Sequence, residues 1–572
     1  MTSQPVASYQ NSTLLVYSDS EALQLMASPQ FQTQWRDLVA KCPWATALQS
    51  PEFACTWYEC YGELYRPLIL LRYAPGGQLD GLLALAVERA TGKLTVAGSH
   101  QAEYQVWLAL PGEQIFVVDS LEKLRQLGFS SLSFTYLPPG TPVDWLQSDW
   151  VSRSTLRSVQ RPLLTVDNID AVRESLAKKK NRRRLEKLQE NGALSFLELR
   201  TPQELDEYYD DIVDFYDFRM GAVNGTCPFR EDPRKRGFYR ALMAQNLLHV
   251  TVMKIGDSLV ASHIGVRNKN EVVLGIVGHS PFEAAHSPGK LHILQLGLLL
   301  HEEGFTNLDL TPGGDPYKED RATRYDDAHE LTVFLDKKAL AAHRRSLRLQ
   351  AFEKKVAGTL RLNKQGLSRL RSFLRNPIRW LGWLLSSVRR WVWSSEETRF
   401  YRAQANAGST AESEAHRDCL RDLLCYEPGG PRCRSKQEFL SESLTAIEAG
   451  VRFYSQARNG TLVSRAWVAT STSKAPLGEV LGSHEYPTKS SVVYDFYEKP
   501  SNSRHTKDSA LLQQIVKDAT ADGAEAVYIA IPADDLAARK AAEGAGFKYQ
   551  DSVVRNVRFG VGKTRLVVRR DG

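Results

Sequence analysis

Apolar and polar positions follow two different periods along this chain, and the period changes at recognisable points. Within residues 13–160, STLLVYSD reads as a strand and SPQFQTQWRDLVAKC has the three- and four-residue apolar spacing of an amphipathic helix. PLILLRYAPGGQLDGLLALAVE then reads as a hairpin turning at Pro75-Gly76-Gly77, and TGKLTVAGSHQAEYQVWLAL is again extended. A second α/β unit opens near Pro162 with the strand PLLTV. It continues as one long basic helix, DAVRESLAKKKNRRRLEKLQENG, with Asp167 or Asn168 as cap and Gly192 at the exit.

After a mostly helical stretch over 202–246, LLHVTVMKI, SLVASHIGVR and EVVLGIVGHS predict a three-strand antiparallel meander. Its first link is Gly256-Asp257, where glycine tolerates positive φ, and its second is Asn268-Lys269-Asn270. SPGKLHILQLGLLLHEEG predicts a buried helix punctuated by Pro288 and Gly289 and leaving at Gly304, and the strand NLDLT follows. The C-terminal part writes the same order again. VRFYSQAR and LVSRAWVATS form a hairpin, SSVVYDFYEK a strand, DSALLQQIVKDATADG a helix, AVYIAIP a strand, DDLAARKAAEGAG a helix and FKYQDSVVRNVRF the closing strands. The fold class expected is α/β, as tandem units of mixed sheet flanked by helices. The expected divisions are 14–160, 161–340, a helical linker over 344–402, and 412–572.

Charge changes this picture in one place. The chain of 572 residues carries +7, but Arg344 to Arg402 alone carries +12, so the remainder is slightly acidic. That excludes a chain-wide basic surface for nucleic acid. Apolar residues recur at steps of three and four from Leu367 to Val392, with arginines opposite and Trp380, Trp383, Trp391 and Trp393 at one end, the pattern of an interfacial helix. The seven cysteines have no disulfide-like spacing, and the first basic residue is Arg36, so the sequence reads as cytoplasmic and peripheral to an inner membrane through 367–393. Cys419, Cys425 and Cys433 near His416 fit no zinc module, and no metal is expected.

A proline- and glycine-containing turn into a helix presents unpaired N–H groups and the positive end of the helix dipole to a phosphate. AAHSPGKL is such a turn, although it is not a Walker loop. Residues 258–323 resemble the GNAT-type acetyltransferase domain of the family that includes the CelD/BcsL proteins of bacterial cellulose biosynthesis, and are distantly similar to FemABX peptidyltransferases. The resemblance is carried by Ala261-Ser262-His263, Ser287-Pro288-Gly289, Asp309 and Asp315-Pro316-Tyr317-Lys318, with KKKNRRRLEKLQENG and WATALQSPEF upstream. It implies an N-acyltransferase using acetyl-CoA or another acyl-CoA. The diphosphate would sit on Ser287, Pro288, Gly289, Lys290 and Leu291, the pantetheine arm along Gly275 to Gly278, and Lys318 would clamp an anionic group. His263 and Asp309 are the candidate bases, Tyr317 the candidate acid for the thiolate and Asp315 the group that orients the amine. The acceptor expected is an amine or hydroxyl of a polysaccharide or cell-envelope precursor, nucleic acid is not expected, and 412–572 reads as a degenerate copy because NSRHTKDSALL lacks glycine. Two other readings remain, an aminoacyl-tRNA-dependent transferase using the Lys178 to Arg184 run, and an inactive scaffold for a polysaccharide synthase.

Overall fold

The computed structural model describes residues 13–359 except 114 and 148, then 393–404, 415–429, 433–470, 473, 489–498, 509–558 and 561–567. The chain forms two compact units, one of Met1–Ile212, Asp232–His279 and His286–Lys355, the other of Val213–Glu231, Ser280–Ala285 and Val356–Gly572.

The first unit holds two sheets. In one, Leu15–Ser18, Tyr65–Tyr73, Leu79–Glu88 and Leu94–Val96 lie in that order, and Leu108–Ala109 pairs with the third of them. The hairpin is nearly continuously apolar because both faces are covered, with Trp35 and Trp57 fully buried on helices Pro29–Lys41 and Pro51–Tyr61. Both helices begin with Ser-Pro. Ser28 Oγ accepts from the Phe31 amide and Ser50 Oγ from the Phe53 amide, while proline fills the first position where no N–H is needed.

The other sheet has eight strands in the order Ser131–Leu137, Arg324–Phe334, Ser154–Thr165, Asn307–Asp309, Glu271–His279, Ser258–Asn268, Leu248–Ile255 and Leu194–Leu199. Only Glu271–His279 and Asn307–Asp309 are parallel, joined by the crossover helix Pro288–Glu302. That helix is apolar nearly all round and is correspondingly enclosed, packing Leu291, Leu296 and Leu300 at zero exposure. Ser131–Leu137, which the sequence assigns to the first α/β unit, completes an edge of this second sheet.

The second unit repeats the order. Arg452–Arg458, Thr461–Thr470 and Ser490–Glu498 form an antiparallel meander, and helix Ser509–Ala521 crosses to Ala526–Pro532, parallel to the meander's last strand. Both meanders carry a bulge in their last strand. Ile264 pairs with Ile276 but Gly265 with Leu274, leaving Gly275 extra, and Arg465 pairs with Tyr497 but Trp467 with Tyr494.

Two expectations are corrected. The basic helix is two, Asp170–Ala177 and Lys179–Gln189, because Lys178 takes extended ψ of 132° and the preceding helix ends with no glycine to signal it. Asn168, one of the two residues expected as cap, accepts from the Asp170 amide through Oδ1 at 3.0 Å, and Ile169 stands between it and the first helical residue. Trp393–Gln404, read as the end of a helical linker, is a strand between Ala526–Pro532 and Lys548–Arg558. Its aromatic pair Phe400-Tyr401, where the pairing register shifts, suits a strand with cross-strand partners that only the fold supplies. The apolar stripe to residue 392 and the 502–508 turn lie outside the described residues. Among the described residues no helix is long and apolar enough to cross a membrane.

Candidate functional site

The parallel pair that centres the second sheet of the first unit is short. Glu271, Val272 and Val273 pair with Asn307, Leu308 and Asp309, and beyond them the two strands diverge. Divergence begins beside the bulge at Gly275, where an added Cβ would stand 2.7 Å from the Ile264 carbonyl oxygen, so a side chain is excluded. The strand beyond it, through Gly278, is paired on its Ser258–Asn268 side and open on the other. An extended ligand chain can add itself to such an edge.

Helix Pro288–Glu302 starts at the mouth of this opening. Its Ser287 differs from the two capping serines described above, for it adopts φ 51° and ψ 55° and its hydroxyl takes no cap hydrogen bond. A non-glycine residue in that region is strained, and here the Lys290 and Leu291 amides turn to the Ser287 carbonyl at 3.0 and 3.3 Å while no side chain caps the turn. Gly289 follows, its missing Cβ position 3.2 Å from His279 Nδ1.

Four cations surround this helix end. The Lys290 ammonium is pushed below the usual lysine range by burial and then by Arg321, Arg184 and Lys178, with Asp320 opposing. Arg321 is itself lowered by burial, lies 5.5 Å over the Tyr317 ring, donates to the Tyr317 carbonyl and keeps a buried Nε without a partner. Lys178 is the residue at the break between the basic helices, and Arg184 lies in the second of them. Asp320 acts on both Lys290 and Arg321, but the four cations outnumber it, and an anion in their midst relieves the remaining repulsion. Among the described residues none of the four makes an ion pair.

On the far side of the diverging strands, Asp309 is wholly enclosed. Its Oδ2 accepts from Tyr104 Oη at 2.6 Å and Arg161 Nε at 3.0 Å, and its Oδ1 from the Thr311 amide at 2.8 Å. Burial raises its pKa, and Arg161 works against that rise. Arg161 also reaches Glu271 at 2.6 Å and Asp326 at 3.2 Å, so one guanidinium ties together strands on both sides of the pair. Lys318, expected to clamp an anionic group, turns inward: its ammonium donates to Thr311 Oγ1 at 2.9 Å and lies 3.5 Å from Asp315, which fixes the loop after Asp309.

Glu103 stands beside this network. Burial pushes its pKa up to about 7, Lys318 opposes the rise and Asp309 adds to it. The carboxylates of Glu103, Glu330 and Asp315 all act on the neighbouring Tyr136 hydroxyl. A carboxyl poised near neutrality, half-buried and next to a strand opening, is suited to take up a proton.

The other anticipated residues fall as follows. His263 is fully enclosed under the bulge with both ring nitrogens unpartnered, and burial lowers its pKa to about 3. His292, hydrogen-bonded to Thr251 at 2.9 Å, is lowered to about 3 and His249, 3.0 Å from Glu303, to about 2, both first through burial. Tyr317 packs on the apolar cluster of Leu294, Leu308 and Leu310. Glu103, Tyr104, Arg161 and Arg321 were missed. None sits in a periodic pattern or motif, and only the fold brings Tyr104, 205 residues away in sequence, to Asp309.

In the second unit the place of Gly275 is taken by polar residues. Asp495, at φ 47°, pairs with Arg465 at 3.0 Å, and that arginine is enclosed between Phe439 and Trp467. Potential metal-ligand atoms of His416, Cys419 and Asp422 lie within 4.8 Å of one another, as do those of Glu198, His249 and Glu303. In the second group Arg200 and Arg267 already neutralise Glu198, at 2.6 Å each.

Residues 175–319, about a quarter of the chain, match the family described as "Acetyltransferase (GNAT) domain". No curated protein matches. Among solved structures, FemX is 9% identical over 52% of this chain and 95% of its own, with a TM-score of 0.37. A tandem GNAT protein of the clavulanic acid biosynthesis pathway is 14% identical over 57% and 99%, at 0.35. The C-terminal domain of a putative lysylphosphatidylglycerol synthetase from Agrobacterium fabrum is 11% identical over 55% and 95%, at 0.34. The strand pair, its bulge at Gly275 and the crossover helix all lie inside the matched residues 175–319. Residues 175–319 are thus similar in sequence to a GNAT acetyltransferase domain.

Proposed function

We propose that the protein is an acyl-CoA-dependent N-acyltransferase whose donor site lies in residues 161–340 and whose acceptor side is shared with residues 14–160. The observation that carries this reading is the helix start at Ser287, without a side-chain cap, where Lys290, Arg321, Arg184 and Lys178 gather with Asp320 opposing them, at the mouth of diverging strands. The donor supplies an acyl group activated as a thioester. The backbone around Ser287, Pro288, Gly289 and Leu291 would hold its diphosphate, with Lys290, Arg321, Arg184 and Lys178 neutralising the charge. The open edge from Gly275 to Gly278 would receive the pantetheine arm.

Glu103 is the proposed base, since Asp309 already spends both oxygens on three donors. Asp309 then positions Tyr104, Arg161 and the Thr311 loop, and Lys318 braces that loop. The acidic surroundings of Tyr136 favour an acceptor that arrives as a protonated amine, which Asp315 would orient and Glu103 would deprotonate. Tyr317, under the Arg321 guanidinium, is the proposed proton donor to the leaving thiolate. An amine of a polysaccharide or cell-envelope precursor is the acceptor class proposed. The second unit, with Arg465 and Asp495 at its bulge, is proposed to be a copy without a donor site.

Thiol release from acetyl-CoA and longer acyl-CoAs, followed with a panel of amino sugars and peptides, tests this. Amine-dependent release by the native chain, lost in Glu103→Gln, is expected. Salt-sensitive binding of aminoacyl-tRNA without thioester turnover would favour the tRNA-dependent reading, and neither activity would favour a scaffold.

A further inference from the structure

A second basic feature of the first unit lies apart from the Ser287 helix start. Where strand Arg324–Phe334 runs into helix Lys337–Thr359, a concavity of about 560 Å³ opens against Ser152 and Arg153. Arg153, Lys337, Arg344, Arg345 and Arg348 line it, with Asp336 as the one acid and Phe334 and Leu340 as its apolar floor. Among the described residues none of the five cations makes an ion pair, and the Arg344 guanidinium donates only to the Ser152 carbonyl at 3.3 Å.

This arrangement is costly in the free protein. Lys337 and Lys338 occupy the first turn of the helix, where the dipole disfavours positive charge, and Asp336, whose Oδ1 accepts from the Lys338 amide at 3.2 Å, offsets only part of the cations gathered there. Through Thr359 the helix has seven cations against Glu353 alone. Charge gathered against both dipole and self-repulsion makes sense when an external anion completes it.

Apolar side chains identify the kind of anion. Val151 is 64% exposed directly before the Ser152–Arg153 edge, and Leu347 and Leu349, interleaved with Arg345 and Arg348, are 47% and 64% exposed. A soluble phosphate or a nucleic acid backbone has no use for exposed leucine and valine beside each arginine. A phospholipid surface uses both, the headgroup phosphates taking the cations and the acyl boundary taking the apolar chains. We infer that the groove formed by Arg153, Lys337, Arg344, Arg345 and Arg348, with Val151, Leu347 and Leu349 beside it, is a docking surface for the headgroups of an anionic phospholipid bilayer. The surface belongs to the folded first unit and stands independently of the 367–393 stripe, and of whether acyl transfer is the activity.

Sedimentation of the full chain with phosphatidylcholine vesicles, with and without phosphatidylglycerol at about a third of the lipid, tests it. Binding only to the anionic vesicles is expected, weakened by salt. Arg344→Gln/Arg345→Gln/Arg348→Gln should lower the partition coefficient at least ~100-fold, since each charge near an anionic leaflet is worth roughly fivefold. Val151→Ser/Leu349→Ser should weaken it while leaving all charges in place. Circular dichroism and melting of both variants should match the native chain, because every substituted side chain is exposed. Vesicle binding by the triple variant equal to that of the native chain would overturn the inference. So would binding of inorganic tripolyphosphate that depends on these arginines in a chain indifferent to vesicles.

Discussion

At the scale of single residues, the account turns on which carboxyl is free to move a proton. With Glu103 raised to about 7, it is protonated below that pH and able to act as a base above it. Activity should therefore rise with pH through about 7, and Glu103→Gln should remove this limb and lower turnover by ~10²–10⁴-fold, as measured by kcat/KM against pH. Asp309→Asn should behave differently. It leaves the Arg161 guanidinium short of a buried partner, so it should cost about 3 kcal/mol of stability in denaturant titration while the pH limb near 7 survives. The three enclosed histidines set a separate acid limit. Folding lowers their pKa values from 6.5 to about 3 for His263, so the unfolded chain binds the extra proton and stability falls as pH drops from 6.5 towards 3. His263→Leu should reduce the slope of stability against pH by about 1.4 kcal/mol per pH unit between pH 6 and 4.

At the scale of elements, the three Ser-Pro helix starts show what sequence can and cannot reveal. The dipeptides at 28, 50 and 287 look alike, yet two serines cap their helices and the third is held left-handed with its helix end open. Sequence located the third turn, the meander before it and the strand after it, because period and turn residues are local signals. It did not reveal the break at Lys178, where the helical pattern is uninterrupted in sequence. Nor did it reveal strand Trp393–Gln404, whose place between two later strands is a long-range fact. The same division holds for the site. In the proposed site, Ser287 to Leu291, Asp309 and Lys318 are singled out by local motif, whereas Glu103 and Arg161 depend on tertiary neighbours. Arg321→Ala, which deletes one charge from the ring, should weaken acyl-CoA binding ~10- to 100-fold, the value of one charged hydrogen bond, without altering the pH limb.

At the scale of the whole molecule, meander, crossover helix and parallel strand are written twice, and the two copies have diverged at the same bulge. A glycine stands at the bulge in the first unit, whereas Asp495, ion-paired with the buried Arg465, stands there in the second. The chain should accordingly bind one acyl-CoA, not two. The measurement that tests this most directly is calorimetric titration of the full chain with acetyl-CoA and longer acyl-CoAs, beside Gly289→Trp, whose side chain would meet His279 at the helix start. One site per chain, abolished by Gly289→Trp in a protein with native circular dichroism, is the predicted result. Absence of binding by any acyl-CoA, or binding that Gly289→Trp leaves intact, would contradict the account.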